Sequence, residues 1–83
     1  MSKTFDLIIA SLDNVLFNQP VKELYLPTSN GEVGILSNHI TYLVDTIIGQ
    51  AHCVTGNNEN FDIPLPTSGI FFIKENHARL WLC

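Results

Sequence analysis

Apolar residues recur at every second position in several short runs of the chain. In residues 4–10, TFDLIIA, the side chains of Phe5, Leu7 and Ile9 fall on one face of an extended backbone. Successive side chains of a β-strand point to opposite faces, so this period of two predicts a strand with one face in a core. No run shows a helical pattern ten residues long.

Three further runs show the same period. Residues 21–26, VKELYL, are predicted to place Leu24 and Leu26 opposite Val21, Glu23 and Tyr25. Residues 51–55, AHCVT, and 78–82, ARLWL, alternate less cleanly. Residues 70–73, IFFI, are apolar on both faces of a predicted strand.

Turn-forming residues close these runs. The segments SNG at 29–31, GNN at 56–58 and KEN at 74–76 contain residues that tolerate positive φ, and they are predicted to connect strands as hairpin turns. About nine short strands without a helix make an all-β sandwich or barrel.

Two prolines test this interpretation. Pro64 and Pro66 lie two residues apart, so both missing N–H groups point to the same side of one strand. An edge strand tolerates that loss and a central strand does not. We therefore expect residues 61–66 to lie at a sheet edge.

Composition limits the possible functions. The 83 residues suit a single domain, 1–83, with a thin core. Apolar residues make up 46% of the chain and charged residues only 14%, so we expect part of the apolar surplus to face a partner protein. The net charge of −4 and the scattered cations argue against binding to nucleic acid or anionic lipid.

The sequence shows no targeting signal. The apolar run near the N-terminus is much shorter than a signal-peptide core, and no run approaches a membrane span. A location in the cytosol or on the inner side of a membrane follows as an expectation. In such a compartment the two cysteines, Cys53 and Cys83, are expected to be free thiols.

The sequence gives little support for a catalytic site or a metal site. His52 and Cys53 are adjacent, so in a strand their side chains leave opposite faces and cannot share a metal ion. No paired-ligand spacing predicts a zinc site, and neither a cofactor nor a metal is expected. Nucleophilic catalysis would need a cysteine to meet His39 or His77, so a small hydrolase or redox domain stays a minor alternative that thiol reactivity would test.

The stretch LPTSNGEVGILSNH, residues 26–39, resembles a signature of one family. It is similar to the N-terminal β-domain of the epsilon subunit of F-type ATP synthases, the subunit called delta in mitochondria. Residues 4–27 resemble the first strands of that domain, with Phe17 at its usual phenylalanine. Residues 61–82 resemble its final edge strand, its turn at Ser68 and Gly69, and its last hairpin.

This resemblance implies a flattened antiparallel β-sandwich in the central stalk of the synthase. Such a subunit is not itself catalytic. It links the gamma subunit to the c-ring and couples ion-driven rotation to ATP synthesis. The implied location is peripheral, on the cytoplasmic face of a bacterial inner membrane or the matrix or stromal face in an organelle, with membrane contact only through the complex. A standalone β-sandwich adaptor for another protein partner is the alternative, because fold alone does not fix function.

Two sets of contact residues follow from the resemblance. The ring-facing set forms a predicted contact loop, in which the glycines let the backbone approach closely and Glu32 offers a carboxylate. Its members are Ser29, Asn30, Gly31, Glu32, Val33, Gly34 and His39. The gamma-facing set comprises Ser11, Ile40, Tyr42, Leu43 and Val44.

The chain departs from the family in four places. Ile40 and Thr41 replace a usual alanine and proline, Phe72 replaces a commonly polar residue, and the last strand is more apolar at Trp81 and Leu82. The sequence ends at Cys83 as that strand closes, so the resemblance implies a form without the family's C-terminal helical hairpin. Such a form is expected not to inhibit ATP hydrolysis by helix insertion. Phe71, Phe72, Trp81 and Leu82 then suggest a face that packs on gamma or favours self-association when isolated.

Overall fold

A computed structural model describes residues 4–83. These residues form eight strands and no helix. The strands are β1 (Phe5–Ala10), β2 (Val15–Thr28), β3 (Gly31–Leu36), β4 (Tyr42–Thr46), β5 (Gly49–Thr55), β6 (Asn60–Leu65), β7 (Gly69–Lys74) and β8 (His77–Leu82). The described part of the chain therefore contains no helix long and apolar enough to cross a membrane.

The strands form one curled sheet in the order β4-β7-β8-β1-β2-β5-β6, with β3 paired to β2. All pairs are antiparallel except β1 and β8, which run parallel. The predicted all-β sandwich class is confirmed. The parallel pair was not predicted, because alternation in the sequence does not state which strands become neighbours.

Eight strands are observed against about nine predicted, and β2 is the longest of them. It is 14 residues long and joins two layers of the curled sheet, β4-β7-β8-β1 on one side and β3, β5 and β6 on the other, since its first half pairs with β1 and its second half with β3. The register with β5 shifts between Val21 and Glu23. This bulge places Val21 and Leu24 on the same side, and both are fully buried. The prediction that Val21 lies opposite Leu24 is therefore wrong.

The three predicted turns all connect consecutive strands. The turn between β7 and β8 has positive φ at both central residues, 51° at Glu75 and 62° at Asn76, as two-residue hairpins prefer. Asn58 between β5 and β6 has a φ of 66°, and Gly31 after the β2–β3 turn has a φ of 107°. Local turn chemistry was therefore read correctly from the sequence.

The predicted edge is also confirmed. Strand β6 is the last strand of the sheet and contains Pro64, and Pro66 follows its end. Gln50 of β5 is the registered partner of Pro64. The prolines occupy a strand that has a neighbour on only one side.

A single apolar core lies between the two layers. Alternate residues of β1, β5, β7 and β8 point into it, as the period of two predicts. Its buried members are Phe5, Leu7, Ile9, Phe17, Val21, Leu24, Leu26, Ile35, Ala51, Cys53, Ile63, Leu65, Phe71, Ile73, Ala78, Leu80 and Leu82. The outward positions of the same strands are therefore free to form surfaces.

Candidate interaction surfaces

The β2–β3 hairpin carries most of the predicted ring-facing set. Its tip, Ser29 and Asn30, is exposed and lies between the paired residues Thr28 and Gly31. The Thr28 hydroxyl donates a hydrogen bond to the Gly31 carbonyl at 2.6 Å and accepts one from the Asn30 N–H at 3.2 Å. The buried Thr28 thus fixes the shape of the tip. Sequence reasoning missed this residue, although threonine commonly closes such turns.

Gly34 has a packing role within the domain. A Cβ atom at Gly34 would lie 3.1 Å from Cε1 of Tyr25, its cross-strand partner on β2. The Tyr25 ring therefore occupies the space that the missing side chain leaves. Gly31, by contrast, has open space around its Cα and a φ of 107°, and the close approach of a partner to either glycine stays a prediction.

An acidic outer face extends from this hairpin across β2, β5 and β6. We define it by the outward residues Glu23, Tyr25, Glu32, His52 and Asp62. Tyr25, His52 and Asp62 are successive partners in one row across the strands. The Tyr25 hydroxyl donates to Glu23 Oε1 at 2.8 Å, and Nδ1 of His52 lies 2.6 Å from Oδ1 of Asp62.

The hydrogen bonds on this face shift two pKa values. The bond to Asp62 raises the pKa of His52, although partial desolvation opposes the shift. The bond to Glu23 raises the pKa of Tyr25, which burial and the charges of Glu23 and Glu32 reinforce. No lysine or arginine belongs to this face as defined, so protonated His52 is its one cationic member.

His39 does not lie near the hairpin tip. Strand β3 separates it from the tip by five residue steps, roughly 17 Å at 3.3 Å per residue. Its neighbour Asn38 exchanges hydrogen bonds with Asn76 in the β7–β8 turn, at 2.7 and 3.1 Å. The His39 ring lies 5.5 Å from the ring of Tyr42. His39 therefore lies beside Tyr42, at the far end of β3 from Glu32, and its assignment to the ring contact stays a prediction.

The members of the gamma-facing set differ in solvent exposure. Ile40 and Leu43 are exposed, whereas Tyr42 and Val44 are half-buried and pack against the core. Leu43 is thus the member of β4 with the most apolar surface to offer a partner. Tyr42 and Val44 stay predicted contacts, but a substitution there would also perturb the fold.

Ser11 lies at the opposite end of the same layer. It begins the β1–β2 turn, where its N–H donates to the Asn14 carbonyl at 2.8 Å. A groove of about 510 Å³ runs beside it, lined by Ser11, Leu12, Trp81, Leu82 and Cys83. Leu12 is 96% exposed and Trp81 is 54% exposed. Sequence reasoning missed Leu12, because a single leucine in a turn carries no periodic signal.

An apolar outer face connects this groove with Leu43. We define it by the outward residues Ile8, Leu43, Asp45, Ile70, Phe72, Arg79 and Trp81, of which Asp45 pairs with Ile70 across the strands. Leu43, Phe72, Arg79 and Ile8 are successive cross-strand partners on β4, β7, β8 and β1, and Ile70 pairs with Trp81 in the adjacent row. Of the four aromatic and leucine residues expected to form such a face, Phe72 and Trp81 do, whereas Phe71 and Leu82 point into the core.

A protein-family model matches nearly all of the described fold. A family model described as "ATP synthase, Delta/Epsilon chain, beta-sandwich domain" matches residues 4–80. The chain belongs to the ATP synthase delta/epsilon family. This match covers all eight strands except the last two residues of β8.

Relatives in this family include chloroplast and bacterial epsilon chains. The chloroplastic epsilon chain of Pelargonium hortorum is 32% identical over 77 residues, which are 93% of this chain and 57% of that one. The epsilon chain of Dichelobacter nodosus is 37% identical over 59 residues, 71% of this chain and 41% of that one. The chain thus spans about half the length of the curated relatives it matches, and the expectation of a form without the helical hairpin stays a prediction.

A solved structure supports the fold assignment. A chain in the structure of the Euglena gracilis mitochondrial ATP synthase, OSCP/F1/c-ring in rotational state 1, superposes with a TM-score of 0.89 at 14% identity. The superposition covers 99% of this chain and 52% of that chain. The identity is low, so this similarity shows the delta/epsilon fold alone.

The geometry of the thiols does not favour catalysis. Both cysteines are free, Cys53 buried and Cys83 exposed. Burial raises the pKa of Cys53 to about 11, which keeps its thiol protonated and unreactive near neutral pH. His52 points outward on β5 and Cys53 inward, as predicted. Among residues 4–83, no three His, Cys, Asp or Glu side chains are grouped to hold a metal ion.

Proposed function

We propose that the chain is a non-catalytic subunit of the central stalk of an F-type ATP synthase. In this proposal it links the gamma subunit to the c-ring and helps couple ion-driven rotation to ATP synthesis. The family match over residues 4–80 carries the proposal. Two separate surfaces, the apolar outer face and the β2–β3 hairpin, support a proposal with two different partners.

The apolar outer face suits the gamma contact. Trp81, Phe72 and Leu43 combine large exposed side chains with Arg79, and aromatic residues and arginine are enriched in the energetic centre of protein interfaces. Ser11 borders the groove beside Trp81. We therefore place the centre of the gamma contact on β7 and β8, with the predicted residues Ser11, Ile40 and Leu43 around it.

The β2–β3 hairpin suits the c-ring contact. Its tip is exposed, its shape is fixed by Thr28, and Glu32 projects a carboxylate beside it. Exposed charges of this kind contribute about 0–1 kcal/mol each, since solvent screens them. The contact then depends mainly on the shape of the tip. Replacing Glu32 by glutamine is expected to weaken assembly little.

The location follows from this role. A subunit bound to gamma and the ring is peripheral to the membrane and touches it only through the complex. Its face is cytoplasmic in a bacterium, or that of the matrix or stroma in an organelle. A standalone adaptor for another protein is the alternative, and it would use the same apolar outer face.

Co-purification tests the proposal. The full-length protein is expressed with an affinity tag in its own cells, the membranes are solubilised in mild detergent, and bound proteins are identified by mass spectrometry. The proposal predicts gamma and c subunits in stoichiometric amounts. Recovery of another protein in their place would favour the adaptor.

A further inference from the structure

The apolar outer face carries one charge of each sign, Asp45 and Arg79. Asp45 on β4 pairs with Ile70 of β7, and Arg79 on β8 pairs with Phe72 of β7. The two charged residues are thus about 10 Å apart across the strands and about 7 Å apart along them. Among the described residues, neither belongs to an ion pair within the chain. The Arg79 guanidinium donates to the Ala78 carbonyl at 2.8 Å, which leaves most of its N–H groups for another partner.

Large apolar side chains surround these two charges. Ile70 and Phe72 lie on β7, midway between the charged residues, and both are exposed. Leu43 and Trp81 lie at the other two corners of the same four-residue block on β4 and β8, and both are more exposed still. Water therefore covers a continuous apolar surface in a single chain, and its removal from water favours association.

We infer that the free chain forms a symmetric dimer in which two copies pack their apolar outer faces against each other. In such a dimer one surface meets the same surface of the second copy. A two-fold axis in the plane of the face, halfway between Asp45 and Arg79 and perpendicular to the line that joins them, exchanges their positions. Each Asp45 then faces Arg79 of the second copy, and this contact occurs twice in the dimer.

The same rotation matches the apolar side chains. It brings Trp81 near Ile70 of the second copy, and Phe72 near Leu43 of the second copy. Each aromatic ring therefore meets an aliphatic side chain, and the two charge pairs lie at opposite sides of this apolar centre. The charge pairs select the relative orientation of the copies, because other rotations bring like charges together.

The negative charge of the chain opposes this contact only weakly. The face as defined is neutral, since Asp45 and Arg79 cancel, although the whole chain carries a net charge of −4. The acidic outer face belongs to the other layer. At 0.1 M salt, repulsion between charges is screened over about 10 Å.

The size of the face sets the strength of the dimer. The strands β4, β7, β8 and β1 together measure about 20 Å by 20 Å, so two copies bury roughly 1,000 Å². Stable protein interfaces bury about 1,200–2,000 Å². We therefore expect a reversible dimer with a Kd in the micromolar range.

The dimer goes beyond the proposed function and does not depend on it. The same face is assigned to gamma, so the second copy covers the gamma contact until gamma displaces it. Failure of gamma to bind would leave the dimer standing. A chain that stays monomeric would overturn the dimer and leave the gamma contact standing.

Charge reversal tests the contact. Asp45→Arg alone and Arg79→Asp alone each place like charges opposite one another, and each is expected to weaken dimerisation about tenfold or more. In an equimolar mixture of the two variants, both contacts of a mixed dimer pair opposite charges. The mixed dimer is expected to form with an affinity within about threefold of the wild type. Sedimentation equilibrium measures these affinities, and circular dichroism checks that both variants remain folded.

A second pair of variants controls for net charge. Glu59→Arg and Lys22→Asp change the net charge of the chain by the same amounts. They lie near the β5–β6 turn, where the Lys22 ammonium donates to Asn58. Alone and mixed, they are expected to dimerise like the wild type. Equal behaviour of the two mixtures, or no recovery on mixing the first pair, would overturn the assigned contact.

The wild type provides a test that needs no variant. Backbone NMR spectra are recorded over a series of chain concentrations. Amides of residues 43–45, 70–72 and 79–81 are expected to shift together as the dimer forms, whereas those of residues 50–54 keep their positions. A chain that stays monomeric up to about 1 mM, or shifts confined to another surface, would contradict the inference.

Discussion

The two outer faces differ although they belong to one curled sheet. The apolar outer face presents Leu43, Phe72 and Trp81 with one arginine, Arg79, and one carboxylate, Asp45, whereas the acidic outer face presents three carboxylates, a tyrosine and a histidine. The inward residues of both layers, by contrast, are apolar except for three buried threonines, Thr28, Thr46 and Thr55. Burial thus constrains one side of each strand, and the other side is free to match a partner.

This difference assigns different kinds of contact to the two faces. A large apolar contact excludes water and supplies most of the affinity at an interface centre. Exposed carboxylates mainly steer and orient a partner, and salt screens them. We therefore expect firm binding through the apolar outer face and a weaker, salt-dependent contribution from the acidic outer face.

The largest predicted effect is the difference in stability between an inward and an outward substitution on β7. Phe71 is fully buried and Phe72 is 38% exposed. Phe71→Ala is expected to lower the free energy of unfolding by about 3–5 kcal/mol, because it leaves a cavity in the core. Phe72→Ala should cost about 1 kcal/mol or less, since solvent already reaches the ring. Urea unfolding of both variants measures the difference, and equal losses would contradict the assigned strand orientation.

The second predicted effect is the difference in gamma binding between a substitution on the apolar outer face and one among the outward residues of β5. Trp81→Asp is expected to weaken gamma binding by about 2 kcal/mol or more, since it puts a charge at the proposed interface centre. Val54→Asp adds the same charge among the outward residues of β5 and should change gamma binding little. Titration calorimetry gives both affinities, and circular dichroism checks that both variants remain folded. A stronger effect from Val54→Asp would reverse the assignment of the faces.

A smaller effect should show at the hairpin that ends the acidic outer face. Gly31 has a φ of 107°, which residues with a side chain rarely adopt. Gly31→Ala is expected to destabilise the domain by about 1–2 kcal/mol through backbone strain, although its Cβ would meet no atom. Ser29→Ala, at the exposed tip, serves as the control. Thermal unfolding of the two variants at one pH compares them, and a neutral Gly31→Ala would show that the turn relaxes.

The smallest effect should be the pH dependence of the His52–Asp62 pair. The folded-state pKa of His52 is raised by Asp62, so the pair stabilises the fold below the ordinary histidine pKa of 6.5, and this stabilisation is lost as the pH rises through the raised value. The side chains are 39% and 63% exposed, so screening limits the contribution to about 0.2–1 kcal/mol. Tyr25, Asn60 and Glu32 also face or influence the ring.

Asp62→Asn provides the comparison for that pair. Unfolding free energies of the wild type and the variant are measured from about pH 5.5 to about pH 8.5. Their difference should shrink as the pH rises, and an NMR titration should give a lower His52 pKa in the variant. A difference that grows with pH would contradict the direction of the shift.

Local features of the fold could be predicted from the sequence because neighbouring residues determine them. Alternation placed Phe5, Leu7 and Ile9 in the core, and the two prolines located the edge at β6. The bulge after Val21 and the parallel pairing of β1 with β8 could not be predicted, since both depend on strands that are distant in the chain.

The candidate surfaces show the same limit. Positions along a motif do not reveal distances in space, so His39 was grouped with Glu32 although β3 separates them. The partial packing of Tyr42 against the core could not be predicted either, because Tyr42, Leu43 and Val44 are consecutive apolar residues with no alternation. The Tyr25 ring over Gly34 depends on cross-strand register, which the sequence does not state.

The central claim is that this domain links gamma to the c-ring, and retention of gamma on the ring tests it most directly. Tagged c-rings are purified in mild detergent from cells with and without this subunit, after the catalytic head has been stripped, and gamma is quantified against the c subunit. The account predicts that gamma stays on the ring with the wild-type subunit and is lost with Trp81→Asp or without the subunit. Equal retention of gamma in all three samples would contradict it.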